Sequence, residues 1–155
     1  MSDDFEQAFG GGRGARPFTD RVGRADTSHQ PTEQRIQPSE DGIYRAYGSL
    51  ATGEIGETCD VQRWLDGTDT PEGIEFQYRF LMQIGYVGEE EIRLFLPDCI
   101  IVLAGKNLRD LRKKLARRQL SFIQQYSGRV WSERPSSKSP IVESIKVVRP
   151  DRADR

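Results

Sequence analysis

Apolar residues occupy every second position over a long stretch in the middle of the chain. The positions are Ile74, Phe76, Tyr78, Phe80, Met82, Ile84 and Tyr86. A period of two predicts a β-strand with one buried face and is incompatible with a helix. At about 3.3 Å per residue the stretch would span roughly 43 Å, so we expect the strand to bend sharply, at Gly85 or at a bulge.

A second strand, residues 91–104, is predicted to return beside the first. Its first apolar residues, such as Ile92 and Leu94, also stand at even positions. Even positions can face even positions across a hairpin only if the loop has an odd number of residues. A three-residue loop, residues 88–90, or a five-residue loop therefore fits, whereas a two-residue turn does not.

The second half of this return strand is unusual. Pro97-Asp98 interrupts it, and because proline cannot donate to a strand ladder we expect a bulge or a sheet edge there. From Cys99 to Ala104 the residues are apolar on both faces. Such a run predicts a strand that is covered on both sides.

A basic amphipathic helix of about twelve residues is predicted next and would supply the cover. Asn107 is the expected N-cap, and Leu108, Leu111 and Leu115 follow helical spacing. A helix of this length is marginal alone. Burial of the three leucines against the sheet would hold it in place.

Weaker sequence patterns predict the remaining strands and turns. Residues 43–50 and 58–65 are candidate strands, residues 66–73 form a turn rich in Gly, Asp and Thr, and a last strand runs from Ile141 to Val148. Residues 119–126 fit both a helix and a strand, and we favour the strand.

These patterns predict one α+β domain in residues 42–149: a small, strongly bent antiparallel sheet with one short basic amphipathic helix packed on it. In architecture it resembles the Sm-like and SH3-like small barrels, complete or partial, which implies no particular function. Residues 1–41 contain few bulky apolar side chains and are predicted to be a disordered arm. Residues 150–155 are expected to fray.

The net charge of −1 conceals a strong asymmetry. Residues 42–104 hold eleven acidic and four basic side chains, whereas residues 105–155 hold five acidic and fourteen basic ones. We therefore expect two faces of opposite sign, an acidic sheet and a basic helix. Such faces favour contact with another protein or with a second copy.

The sequence offers no convincing catalytic or metal site. Cys59 and Cys99 stand in apolar strand-like runs and are expected to be buried free thiols, and His29 lies in the predicted arm. Gly105-Lys106-Asn107 lacks the upstream glycine and the Ser/Thr of a phosphate-binding loop. We expect a protein that is not an enzyme, has no cofactor or small-molecule substrate and is located in the cytoplasm, since no secretory leader or membrane-span pattern is visible.

The basic helix is the candidate functional feature. The candidate partner- or anion-binding residues are Lys106, Arg109, Arg112, Lys113, Arg117 and Arg118. They either form a solvated face over acidic strands or bind an anionic partner. Nucleic-acid binding would call for exposed aromatic residues among them, and Trp131 and Tyr126 are nearby in sequence. We predict an accessory or adaptor protein that acts through protein contact or self-association. Nucleic-acid binding through the basic helix, residues 106–118, is the alternative, and an enzyme is a second, disfavoured alternative.

Overall fold

The computed structural model describes residues 41–151, which belong to one compact unit. The strands and the α-helix within them are β1 (Tyr47–Ser49), β2 (Thr58–Trp64), β3 (Pro71–Gln77), β4 (Gln83–Val87), β5 (Glu91–Phe95), β6 (Ile100–Lys106), α1 (Arg109–Ala116), β7 (Leu120–Gln124) and β8 (Ile141–Val148). The predicted arm before Asp41, including His29, and the predicted frayed end beyond Asp151 lie outside the described residues.

The described strands form two sheets rather than the single bent sheet that was predicted. Sheet A has the order β1-β7-β2-β3, and sheet B has the order β4-β5-β6-β8. All pairings are antiparallel except that of β2 with β7, which is parallel. The protein is thus mostly β-sheet with one helix, an α+β domain. Within residues 41–151 neither sheet closes on itself, so the predicted likeness to a small barrel is not confirmed.

The continuous strand predicted from Ile74 to Tyr86 is wrong. β3 ends at Gln77 in sheet A, a 3-10 turn spans Tyr78–Phe80, and β4 begins at Gln83 in sheet B. The hydroxyl of Tyr78 donates to the Leu120 carbonyl oxygen at 2.8 Å, which anchors the crossover in the core. Of the alternating apolar residues, Phe76 and Tyr78 are buried, whereas Phe80, Met82 and Tyr86 are exposed. Gly85, one predicted bend site, instead pairs regularly with Arg93.

The three-residue loop after β4 is confirmed. Val87 pairs with Glu91 and Ile84 with Leu94, so even positions face even positions. The return strand of residues 91–104, by contrast, is two antiparallel strands. Pro97-Asp98 lies in the turn between β5 and β6, which the Leu96 amide closes by donating to the Cys99 carbonyl oxygen at 3.0 Å.

The expectation that β6 is covered on both faces holds for one face. Ile101 and Leu103 are fully buried, whereas Ile100 and Val102 are half-buried. The predicted cover of β6 by the basic helix is not confirmed, because the main strand contacts of the helix are with β7 of sheet A. The predicted strands at 119–126 and 141–148 are confirmed as β7 and β8.

The weaker predicted elements are shorter than their sequence patterns. Residues 43–50 contain only β1, and residues 58–65 contain β2. The predicted turn of residues 66–73 ends before Pro71, because Pro71 already pairs with Trp64 at the start of β3. No helix in the described part of the chain has both the length and the apolar character that a membrane crossing demands.

Candidate binding surface on helix α1

Three leucines hold helix α1 on the core. Leu108, Leu111 and Leu115 are 1 %, 0 % and 1 % exposed, as their spacing predicted. The helix has eight residues instead of the predicted twelve and would not be stable alone. Burial of each leucine contributes roughly 1.5–3 kcal/mol, so these contacts determine which side of the helix faces the solvent.

The predicted N-cap at Asn107 is wrong. Leu108 precedes the helix, and no side chain caps the first turn. Asn107 adopts a left-handed backbone conformation with φ of 57°. Its Nδ2 atom donates to the carbonyl oxygens of Ser137 and Ser139 at 2.9 and 3.0 Å. Asn107 therefore ties the loop before β8 to the start of the helix instead of capping it.

Three cations follow one another along the solvent side of α1, and we call Arg109, Lys113 and Arg117 the cationic row. They are four residues apart, which places neighbouring Cβ atoms about 5–6 Å from each other. All three are exposed, as is Lys106 at the end of β6. The Nη1 atom of Arg109 lies 3.9 Å from the Oε1 atom of Glu89, and both side chains are more than half exposed. An exposed pair of this kind contributes little.

Lys106, Lys113 and Arg117 form no ion pair with any residue that the structure describes. The acidic strands therefore do not neutralise the cationic row. Its positive charge remains available to an outside partner.

The remaining cations of this segment, Arg112 and Lys114 in α1 and Arg118 just beyond it, make contacts within the protein. The Arg112 guanidinium lies 3.8 Å from the centre of the Tyr86 ring. Arg118 Nε donates to the Gly56 carbonyl oxygen at 3.2 Å, and Lys114 Nζ donates to Ser49 Oγ at 2.7 Å. Five of the six predicted site residues are therefore exposed, and Arg112 is half-buried. Arg112 and the exposed Arg118 contact Tyr86 and Gly56, which leaves four exposed cations whose side chains make no hydrogen bond or ring contact with a described residue.

The aromatic residues considered from the sequence are not exposed beside the helix. Trp131 is 1 % exposed and packs against Tyr44 and Trp64, with ring centres 5.0 and 5.6 Å away. Tyr126 is half-buried in the same cluster. Tyr86, which is 55 % exposed, lies against Arg112 of α1, and the half-buried Tyr47 ring lies 5.1 Å from Lys114 Nζ. Tyr86 stands at an even position of the alternating apolar stretch, so the sequence pattern predicted a core residue and gave no sign that Tyr86 is exposed.

The two cysteines do not have the surroundings of a catalytic nucleophile. Cys59 and Cys99 are buried free thiols, as predicted. Burial raises the pKa of Cys59 to about 12 and also raises the pKa of Cys99, whereas a nucleophilic thiol needs a lowered pKa. Among residues 41–151, no three His, Cys, Asp or Glu side chains cluster closely enough to hold a metal ion.

Comparisons with models of known families, with curated proteins and with solved structures found no match to this chain.

Proposed function

We propose that this protein is a non-catalytic adaptor that binds an acidic surface of another protein through the cationic row and Lys106. The observation that carries the proposal is the row itself. It consists of three aligned cations on a helix held by buried leucines, with one weak ion pair to Glu89. Because the helix is already held on the core, its backbone need not be ordered on binding, and the remaining cost is about 0.5–1.5 kcal/mol for each side chain that a partner immobilises.

The row also works against the stability of the helix. Like charges four residues apart destabilise a helix by about 0.2–0.5 kcal/mol per pair, and the row contains two such pairs. Arg109 is in addition the first residue of α1, where the positive end of the helix dipole disfavours a cation. The dipole favours Lys113 in the last turn and Arg117 at the C-cap, so the cost to the helix falls mainly on Arg109. A cation placed there is better explained by contact with a partner than by a solvated face.

Nucleic-acid binding is the second candidate, and one observation favours it. Tyr86 is exposed and lies against Arg112, so an aromatic ring borders the basic surface. Against it, even with the exposed Arg118 included, the predicted site has five exposed cations, fewer than the roughly six to ten phosphate contacts of strongly salt-dependent DNA binders. A small cationic surface with one aromatic residue fits an acidic protein surface better.

The proposal is tested by affinity purification of the tagged full chain from the native host, compared with two variants of equal charge change. K113E/R117E reverses two charges of the row. R129E/K138E reverses two exposed cations outside α1 that form no ion pair with a described residue. We expect wild type and R129E/K138E to retain the same protein partner after nuclease treatment, and K113E/R117E to lose it.

The same experiment separates the two candidates. If nuclease treatment abolishes all retention, the nucleic-acid function is right and the adaptor function is wrong. If K113E/R117E retains every partner of the wild type, the row is only a solvated face.

Three further features remain predictions alongside this proposal. The cytoplasmic location and the lack of enzymatic activity are expected from the sequence. The likeness to Sm-like and SH3-like barrels agrees with a binding role, because such small domains commonly present a surface to a partner, but it carries no function with it.

A further inference from the structure

One side of the two-sheet structure is open. A groove of about 300 Å³ lies between the sheets there. Its apolar lining comes from Val61 and Ile74 of sheet A and from Ile101, Ile145 and Val147 of sheet B. Near α1 the leucines fill the core, but in the groove Ile74 and Val147 remain half-exposed.

Two edge strands border this groove. β3 is the last strand of sheet A and β8 is the last strand of sheet B. The first part of β8 is covered, since the Tyr126 amide donates to the Val142 carbonyl oxygen at 2.7 Å. From Ser144 to Val148 the outer edge of β8 has no backbone partner among the described residues, and the same holds for the outer edge of β3. Unpaired edges of this kind accept another strand.

The two edges differ in charge. Glu75 of β3 pairs directly with Asp60 of β2, and neither forms an ion pair with a described cation. Burial raises the pKa of Asp60, and the Glu75 carboxylate raises it further. On β8, Lys146 is exposed and forms no ion pair with a described residue, and Arg149 follows at the mouth of the groove. One edge is therefore acidic and the other basic.

The side chains of the two edges also match in phase. Ile74 and Val147 both point into the groove, and their neighbours Glu75 and Lys146 are exposed and alternate with them. If the edges joined into one sheet, the apolar pair would share the inner face and the charged pair would share the outer face. Joining β3 to β3 of another copy would instead bring Glu75 beside Glu75, which is unfavourable.

We propose that two copies of this chain associate through the open side, with β3 of each copy pairing along β8 of the other. The contact is isologous, so it forms twice in a symmetric dimer. It satisfies the free backbone groups of both edges, covers Ile74 and Val147, and places Lys146 of one copy near Glu75 of the other. The contact does not involve the cationic row, and its failure would leave the adaptor function standing.

Sedimentation velocity of the full chain over a range from about 1 to 200 µM tests the dimer. We expect the mass to rise with concentration from 17.7 kDa to twice that value. K146E and E75K should each weaken dimerisation roughly tenfold, because each turns two attractions into repulsions. The charge-swapped double variant E75K/K146E should dimerise like the wild type.

K138E and K113E/R117E serve as controls, because they change exposed charges away from both edges and should leave dimerisation unchanged. A chain that stays monomeric up to 200 µM would overturn the proposal. So would a K146E variant that dimerises like the wild type, or a double variant that stays as weak as the single ones. A dimer lost in K113E/R117E but kept in K146E would assign self-association to α1 and contradict the edge pairing.

Discussion

At the scale of single residues, Tyr44 links three parts of the chain. Its buried hydroxyl donates to the Gln124 carbonyl oxygen at 2.8 Å and accepts from the Val142 amide at 3.0 Å, which joins β7 to β8. Its ring also packs against Trp131. No local pattern in the sequence marks this role, because Gln124 and Val142 are distant along the chain and meet only in the folded protein.

We expect the Tyr44→Phe variant to lower the free energy of unfolding by about 1–3 kcal/mol. The substitution keeps the ring but leaves two backbone groups without their hydrogen bonds. Urea unfolding of the full chain measures the effect. Tyr86→Phe is the matched control and should change stability by less than about 0.5 kcal/mol, since its exposed hydroxyl has no hydrogen bond to a described residue. Equal effects of the two substitutions would contradict the role of Tyr44.

Cys59 predicts a loss of stability at high pH. Burial raises the pKa of its thiol from 9.0 to about 12, an effect that outweighs the opposing hydrogen bond with Tyr78. Below pH 9 the thiol is protonated in both the folded and the unfolded chain, so it adds no pH dependence. Between pH 9 and 12 the unfolded chain releases the proton first, and the contribution of Cys59 to stability is lost as pH rises.

This pH dependence is measured by urea unfolding of the wild type and of Cys59→Ala from pH 7 to 11. The wild type should lose more stability than the variant above pH 9, and the two should run in parallel below it. Parallel curves over the whole range would show that the thiol is not held neutral by its surroundings.

At the scale of elements, the spacing of apolar residues predicted where strands occur in the sequence better than it predicted how the strands are arranged in sheets. The period of two located the inward faces of β3 and β5 and required the odd loop after β4, but it did not predict that Tyr86 of β4 is exposed. The same period gave no sign of the break at Tyr78–Phe80. Apolar residues stay at even positions on both sides of the break, although the chain passes there from sheet A to sheet B. Helical spacing correctly identified the three buried leucines. The predicted N-cap at Asn107 was wrong, because the Asn107 backbone is left-handed and its side-chain amide donates to carbonyl oxygens of the 137–139 loop.

Helix α1 should become more stable when its first cation is removed. We expect Arg109→Gln to raise the free energy of unfolding by about 0.3–1 kcal/mol, because it relieves repulsion from Lys113 and from the helix dipole. Urea unfolding at low salt measures the gain, which should shrink in 0.5 M salt as charges are screened. Arg129→Gln, outside the helix, should have no comparable effect. A loss of stability in Arg109→Gln would mean that the ion pair with Glu89 matters more than the repulsion.

At the scale of the whole molecule, the charge asymmetry predicted which segment carries the candidate surface. The structure narrows that segment to four exposed cations whose side chains make no hydrogen bond or ring contact with a described residue. Sequence could not separate these from Arg112 and Arg118, since their contacts with Tyr86 and Gly56 depend on the fold. The open side was not predicted either. It exists because β3 and β8, far apart in the chain, are edges of different sheets that border one groove.

The central claim is that the cationic row with Lys106 binds acidic protein surfaces, and amide chemical-shift mapping tests it most directly. The probe is a poly-glutamate peptide, titrated at low salt into the isotope-labelled full chain. The largest shifts should fall at Lys106, Arg109, Lys113 and Arg117, persist in R129E/K138E and vanish in K113E/R117E. Shifts of similar size at Arg129 and Lys138, or shifts that survive in K113E/R117E, would contradict the claim.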